Sequence, residues 1–241
     1  MRFFYLIIML FFSTQTFAGD YKWSNFRDQH VDPFLQRSVD STSLTLLATG
    51  LVAFYVTTPA DNNIRSEWRN HQKISKDDSH AGDLMGSGAG GALLIGSQYF
   101  FDSNRDHWIQ HTRALVWGAM ITTVLKYSLN RQRPGNSDSH LSLPSGHTAT
   151  AFTTATSLTY AYGWKAAVLA YPVAAFVGLS RLSDDVHWGS DVVAGAFLGY
   201  IIGRASAYET PEQTKYAADK YGTFYPVIAA GQSGLGWIYT Y

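Results

Sequence analysis

Between residues 43 and 204 the chain is a succession of apolar runs with helical spacing, separated by short polar stretches. The runs cover 43–58, 84–101, 106–129, 147–162, 164–179 and 186–204. A chain patterned this way buries its apolar faces by packing helix on helix, so the expectation is an all-α fold, a six-helix bundle. Pro59 ends the first run, and Pro172 is expected to kink the fifth. Glycine and alanine in the second run allow close helix packing. Residues 61–83, with His71 and His80, read as a polar, solvated connection, and residues 19–42 as a lead-in along the surface. Beyond Tyr208 the composition changes. A polar stretch gives way to two β-prone segments around Gly231 and Gln232, which predict a short C-terminal β-hairpin.

Where the fifth run ends and the sixth begins, residues 180–191 carry Arg181, His187 and Asp191 at fixed offsets. His187 and Asp191 are four apart and share a face if a helix has begun between them. A carboxylate placed there can take the Nδ1 proton of the imidazole and leave Nε2 as an oriented nucleophile or base. Arg181 adds a planar cation suited to phosphate oxygens. The same three residues could equally cap and solvate a helix junction. Asp184 and Asp185, between Arg181 and His187, are read as capping residues.

Two earlier blocks extend the chemistry. Lys126 precedes Arg133 by seven residues, and Pro134 is read as the stop of the third helix. Pro144, Ser145, Gly146 and His147 then open the fourth run, where backbone N–H groups at a helix start attract anions. The three blocks together supply Lys126, Arg133 and Arg181 as cations, Ser145 and Gly146 as donors, and two histidines. That is the equipment of an oxyanion site. His107 and His111 share a helix face, but no Glu follows His107 in the zinc-protease manner, and no metal role is assigned to them.

The pattern Lys-x6-Arg-Pro, Pro-Ser-Gly-His, Ser-Arg-x5-His-x3-Asp resembles the type 2 phosphatidic acid phosphatase superfamily, which includes bacterial class A acid phosphatases and vanadium haloperoxidases. All three blocks are present in order. The resemblance implies a helical bundle with its active site at one end and a mechanism without metal or cofactor. His187 would attack phosphorus, with Asp191 holding its tautomer. Lys126, Arg133, Arg181, Ser145 and the Gly146 N–H would neutralise the transferring phosphoryl group. His147 would protonate the leaving alkoxide and then activate water to hydrolyse the phosphohistidine.

Composition narrows the partners. Formal net charge is zero, so no basic field points to nucleic acid, and cysteine is absent, which excludes disulfides and thiolate sites. Residues 1–18 read as a secretory signal peptide: Arg2, an apolar core over 3–12, and Thr16, Phe17 and Ala18 before Gly19. The expected division is 1–18 signal peptide, 19–208 phosphatase domain and 209–241 tail, in an exported protein of the periplasm or cell envelope. Mean hydropathy is −0.09, and several apolar runs fall short of the roughly 20 residues a bilayer core requires. These two observations favour a soluble or membrane-associated domain over six spans. The expected function is a phosphatase on a lipid phosphate or diphosphate of the phosphatidate or isoprenoid diphosphate type. The alternatives are an acid phosphatase on small soluble phosphomonoesters, a vanadium haloperoxidase, or an inactive envelope module.

Overall fold

The computed structural model describes residues 23–71, 73–135 and 137–207, and the backbone of 223–229 and 232–238. The expected signal peptide lies outside the described residues. The helical unit contains α1 (Trp23–Phe26), a π-helical turn (Arg27–Val31), α2 (Asp32–Ser38), α3 (Ser41–Thr57), a 3-10 turn (Thr58–Ala60), α4 (Asp61–Asn70) and α5 (Lys76–Gly86). It continues with α6 (Ala89–Phe101), α7 (Arg105–Leu129), α8 (Gly146–Tyr162), α9 (Trp164–Ser183) and α10 (Gly189–Ser206). In a separate unit, β1 (Thr223–Ala229) pairs antiparallel with β2 (Gln232–Ile238), Thr223 opposite Ile238 and Ala229 opposite Gln232.

α8 is the central helix, packed against α7, α9 and α10. Its inward positions are small: Thr148, Ala149, Ala151, Thr153, Ala155, Thr156 and Ser157 are all buried. The partner surface on α10 is smaller still. A β-carbon added to Gly199 would stand 2.3 Å from the carbonyl oxygen of Ala149, and one added to Gly195 would stand 2.7 Å from that of Ser145. Two helix backbones therefore lie against each other with no side chain between them. Gly199→Val should cost about 1–3 kcal/mol through overpacking, visible as a lower thermal midpoint; an unchanged midpoint would mean that the two helices can part without penalty.

The structure corrects several expectations. Residues 61–83 hold two helices, α4 and α5, because their polarity conceals caps and an inward stripe. Ser75 caps α5, its hydroxyl accepting from the Asp78 N–H at 3.1 Å, and α4 turns Asp61 and Ile64 inward beneath Gly189. The second apolar run is broken at Ser87 and Gly88, where Gly88 adopts φ +92°. The third helix stops at Leu129, where left-handed Asn130 (φ 46°) caps it with its N–H to the Lys126 carbonyl. Pro134 lies four residues further on and does not end it. The residues before α3 dock into the bundle: Phe34 is buried and stacks on Trp117 at 4.4 Å with 4° between the rings.

The short-helix argument against crossing a bilayer also changes. α9 runs through Pro172 to Ser183, 20 residues, and α3 continues through the 3-10 turn into α4 as a 30-residue rod, Ser41–Asn70. Both are long and apolar enough to cross a membrane. Large apolar side chains stand exposed around the bundle, among them Leu51 and Val56 on α3, Leu93 and Phe100 on α6, Val124 on α7 and Leu169 on α9. The ends of the bundle are differentiated as well. Arg37 and Arg113 tie to the carbonyls of Ala207 and Ser206 at one end. The other end carries the residues singled out above.

Candidate active site

Five chain segments meet at that end: the C-terminus of α7, the loop 130–145, the C-terminus of α9, and the starts of α8 and α10. Lys126 occupies the last turn of α7. Its ammonium donates to the Leu141 carbonyl at 2.7 Å, and its Cε would lie 3.5 Å from a β-carbon added to Gly146. Burial and the neighbouring Arg133 push its pKa down to about 8, with Asp191 opposing them. The loop folds back on itself through Arg133 N–H to the Ser139 carbonyl and Ser142 N–H to the Arg131 carbonyl, both 3.0 Å. That turn brings Arg133 back towards Lys126, and the buried Nε of Arg133 has no hydrogen-bond partner among the described residues.

Ser145 precedes α8 and is fully buried. Its N–H donates to the Asp191 carbonyl at 3.1 Å, and its hydroxyl accepts from Thr148 at 2.9 Å. Gly146 begins the helix and His147 follows, half-buried. Arg181, in the last turn of α9, is buried and held on every edge. Nη2 donates to the Ser79 carbonyl at 3.1 Å, Nε to the Ser180 hydroxyl at 3.1 Å and Nη1 to the Asp83 carboxylate. Asp184 adds an ion pair to Nη2 at 3.0 Å and accepts from the Ser79 hydroxyl. Asp185, with φ 55°, forms a bidentate pair with Arg65 at 2.6 and 2.8 Å. The two aspartates were expected to cap the next helix. They bind arginines instead.

His187 lies in the loop before α10, which begins at Gly189 rather than at 186. The shared helix face assumed for His187 and Asp191 is therefore absent. Asp191 caps the helix start, accepting from the Trp188 N–H at 3.0 Å, and its carboxylate orientation follows from that role. The His187 Nδ1 faces Asp191 Oδ2 at 3.7 Å, beyond hydrogen-bond length, and is buried without a partner among the described residues. Burial lowers the His187 pKa; the Asp191 carboxylate opposes this, while Lys126 and Arg133 reinforce it. Asp191 is fully buried. Burial alone would raise its pKa, but His187, the Ser142 hydroxyl at 2.5 Å, Arg131 and the Trp188 N–H together hold it below the usual carboxylate range.

The sequence places Asp61 in a polar connection and carries no local mark at Arg131. Arg131 bridges Asp191 at 2.5 Å and Asp61 at 2.8 Å, and it also donates to the Ser190 hydroxyl at 2.8 Å. Asp61 in turn accepts from the Ser190 N–H and hydroxyl at 2.9 and 2.6 Å. No spacing rule links positions 61, 131 and 191; only the tertiary fold does. Asp83 was missed for the same reason. His107 and His111 have separate partners at the opposite end of α7, Asp102 for the first and Gln98 and Thr154 for the second.

The arrangement gathers three cations and two imidazoles around the starts of two helices, at one end of a helical bundle. A family model described as the PAP2 superfamily matches residues 108–215, which include all three sequence blocks. The lipid A 1-phosphatase of Porphyromonas gingivalis is 46% identical over 91 residues, a match that covers 36% of this chain and 20% of the relative. The matched part is thus about a fifth of that curated relative. Among solved structures, LpxE of Aquifex aeolicus aligns with a TM-score of 0.54 at 25% identity over 61% of this chain and 93% of the other. A transmembrane PAP2-type phosphatidylglycerolphosphate phosphatase from Bacillus subtilis also gives 0.54, at 17% identity over 74% of this chain and 98% of the other, and shares the fold.

Proposed function

We propose that this chain is a PAP2-type phosphatase that removes phosphate from a phosphorylated lipid through a phosphohistidine. The observation that carries the reading is the meeting of Lys126, Arg133, Arg181, His147 and His187 at one end of a bundle whose sides expose large apolar residues. Similarity to a lipid A 1-phosphatase and to LpxE supports a lipid substrate. The exposed apolar belt supports a protein held in a membrane by α3 and α9, in the cell envelope. The division into signal peptide, helical phosphatase domain and C-terminal tail belongs to this reading.

In the reaction, Nε2 of His187 attacks phosphorus and the bond to the leaving oxygen breaks. Lys126, Arg133 and Arg181, with Ser145 and the Gly146 N–H, stabilise the three equatorial oxygens as charge spreads over them. His147 gives its proton to the leaving alkoxide. It then takes a proton from water as that water attacks the phosphohistidine, which frees His187 and releases inorganic phosphate. Asp191, itself fixed by Ser142, Arg131 and the Trp188 N–H, stabilises the imidazolium phase of His187. The 3.7 Å gap closes to a hydrogen bond as positive charge develops on the ring, since catalytic hydrogen bonds tighten in the reacting complex.

The test is hydrolysis by the full chain in detergent micelles, comparing phosphatidate and a lipid diphosphate with a short-chain alkyl phosphate. The expected result is a higher kcat/KM for the lipids, activity retained in EDTA, and inhibition by vanadate. The activity should also decline as pH rises past about 8, because Lys126 then loses the charge that holds phosphate. Equal rates on the alkyl phosphate would favour an acid phosphatase of small soluble esters, and loss of activity in EDTA would point to a different mechanism.

A further inference from the structure

α5 reaches the site from outside the three sequence blocks. Gly82 and Gly86 lie one turn apart on its inward face. A β-carbon at Gly82 would stand 2.3 Å from the Ser180 hydroxyl, and one at Gly86 would stand 2.7 Å from His147 Cβ and Val177 Cγ1. These glycines set α5 directly against the helices that carry His147 and Arg181. Asp83 lies between them, and its side chain remains 52% exposed. The same carboxylate oxygen, Oδ1, accepts from Arg181 Nη1 and lies 3.1 Å from His147 Nε2.

We infer that Asp83 is a positioning residue for His147, accepting the Nε2 proton so that Nδ1 is the nitrogen that gives and takes the catalytic proton. The inference rests on the phosphatase reading above. The charged and titratable groups facing His147 are Asp83 on α5, Lys126 on α7, Arg181 on α9 and His187 in the loop before α10. Burial, Arg181, His187 and Lys126 all favour the neutral ring, and the His147 pKa falls to about 4 even though Asp83 opposes them. Without that carboxylate, nothing in this set would help the ring hold a proton until the phosphate dianion arrives. Nor would anything fix which nitrogen carries it. With it, the imidazolium donates Nε2–H to Asp83 and Nδ1–H to the leaving oxygen. After transfer the ring keeps Nε2–H and offers a lone pair at Nδ1 to the attacking water.

The test combines two readouts on Asp83→Asn and Asp83→Glu. The first is NMR titration of the histidine ring protons in micelles, with His147 assigned by its loss in His147→Gln. The second is turnover of an alkyl phosphate against nitrophenyl phosphate across pH. In Asp83→Asn the His147 pKa should fall, and kcat on the alkyl phosphate should drop by about tenfold or more, a share of what a general acid contributes. Nitrophenyl phosphate, whose leaving group departs without a proton, should slow by less than about threefold. Asp83→Glu should recover much of the loss. An unmoved His147 titration would overturn the inference. So would equal slowing of both substrates, or a lower KM with kcat unchanged, which would mark Asp83 as a competitor of phosphate for Arg181. A wild-type chain that hydrolyses neither ester would instead overturn the phosphatase reading, and the titration alone would then decide the role of Asp83.

Discussion

His187→Ala should lower kcat/KM by about three orders of magnitude or more, as loss of a covalent nucleophile does. It should leave no acid-labile phosphoenzyme to trap. The expectation rests on position and protonation together. His187 precedes the first turn of α10, and burial lowers the pKa of its imidazole, which favours the neutral form that attacks. No other described imidazole stands beside the Asp191 carboxylate, so none can take over with the same charge compensation. The fold should survive the change. The cap of α10 is made by the Trp188 N–H and Asp191, and the carboxylate keeps Ser142 and Arg131 without the imidazole. Rapid-quench trapping with labelled substrate, alongside circular dichroism of the same preparation, separates chemistry from folding. Residual activity above a few per cent with a normal spectrum would remove His187 from the role of nucleophile.

The candidate site was legible where its residues are close in the chain and hidden where they meet only in the tertiary fold. Lys126, Arg133, Ser145, Gly146, His147, Arg181, His187 and Asp191 fall in three short blocks, and each block ends or begins a helix. The apolar runs were legible for the same reason, since helical spacing survives in a local window. What failed was the polar part. α4 and α5 read as a connection because charge dominates them, although Ser75 with Asp78 three residues later is a helix-start signature that could have been recognised. Asp61 and Asp83 carried no local mark at all. Their partners lie 70 and 98 residues away, Arg131 and Arg181, and only the packing of α4 and α5 onto the end of the bundle brings them together. The start of α10 was misplaced because an aspartate four residues after a histidine suggests a shared helix face. Here the aspartate caps the helix and the histidine precedes it.

The second large effect expected is on stability, from Arg131→Leu. Arg131 is the cation between two buried carboxylates, Asp191 at 2.5 Å and Asp61 at 2.8 Å, whose side chains are 0% and 6% exposed. Removing a single partner from a buried ionic cluster leaves charge without compensation and costs about 3–5 kcal/mol. In this case two carboxylates lose their shared cation while Asp61 keeps the Ser190 donors and Asp191 keeps Ser142 and the Trp188 N–H. The pH dependence has a definite sign. The folded-state pKa of Asp191 lies below its unfolded value, so the carboxylate contributes stability above the unfolded value that is lost as pH falls through the folded one. Arg131→Leu takes away one of the groups that depress it. The variant should therefore lose its acid tolerance first, unfolding at a higher pH than the wild type, as well as melting earlier at neutral pH. A double-mutant cycle with Asp61→Asn tests the cause. If Arg131 acts through the network, neutralising Asp61 removes part of the uncompensated charge, and the double variant should be less destabilised than the two single losses added together. Strict additivity, or a thermal midpoint within a degree or two of wild type, would mean that the carboxylates are held by their hydroxyl and backbone donors, with the arginine as a bystander.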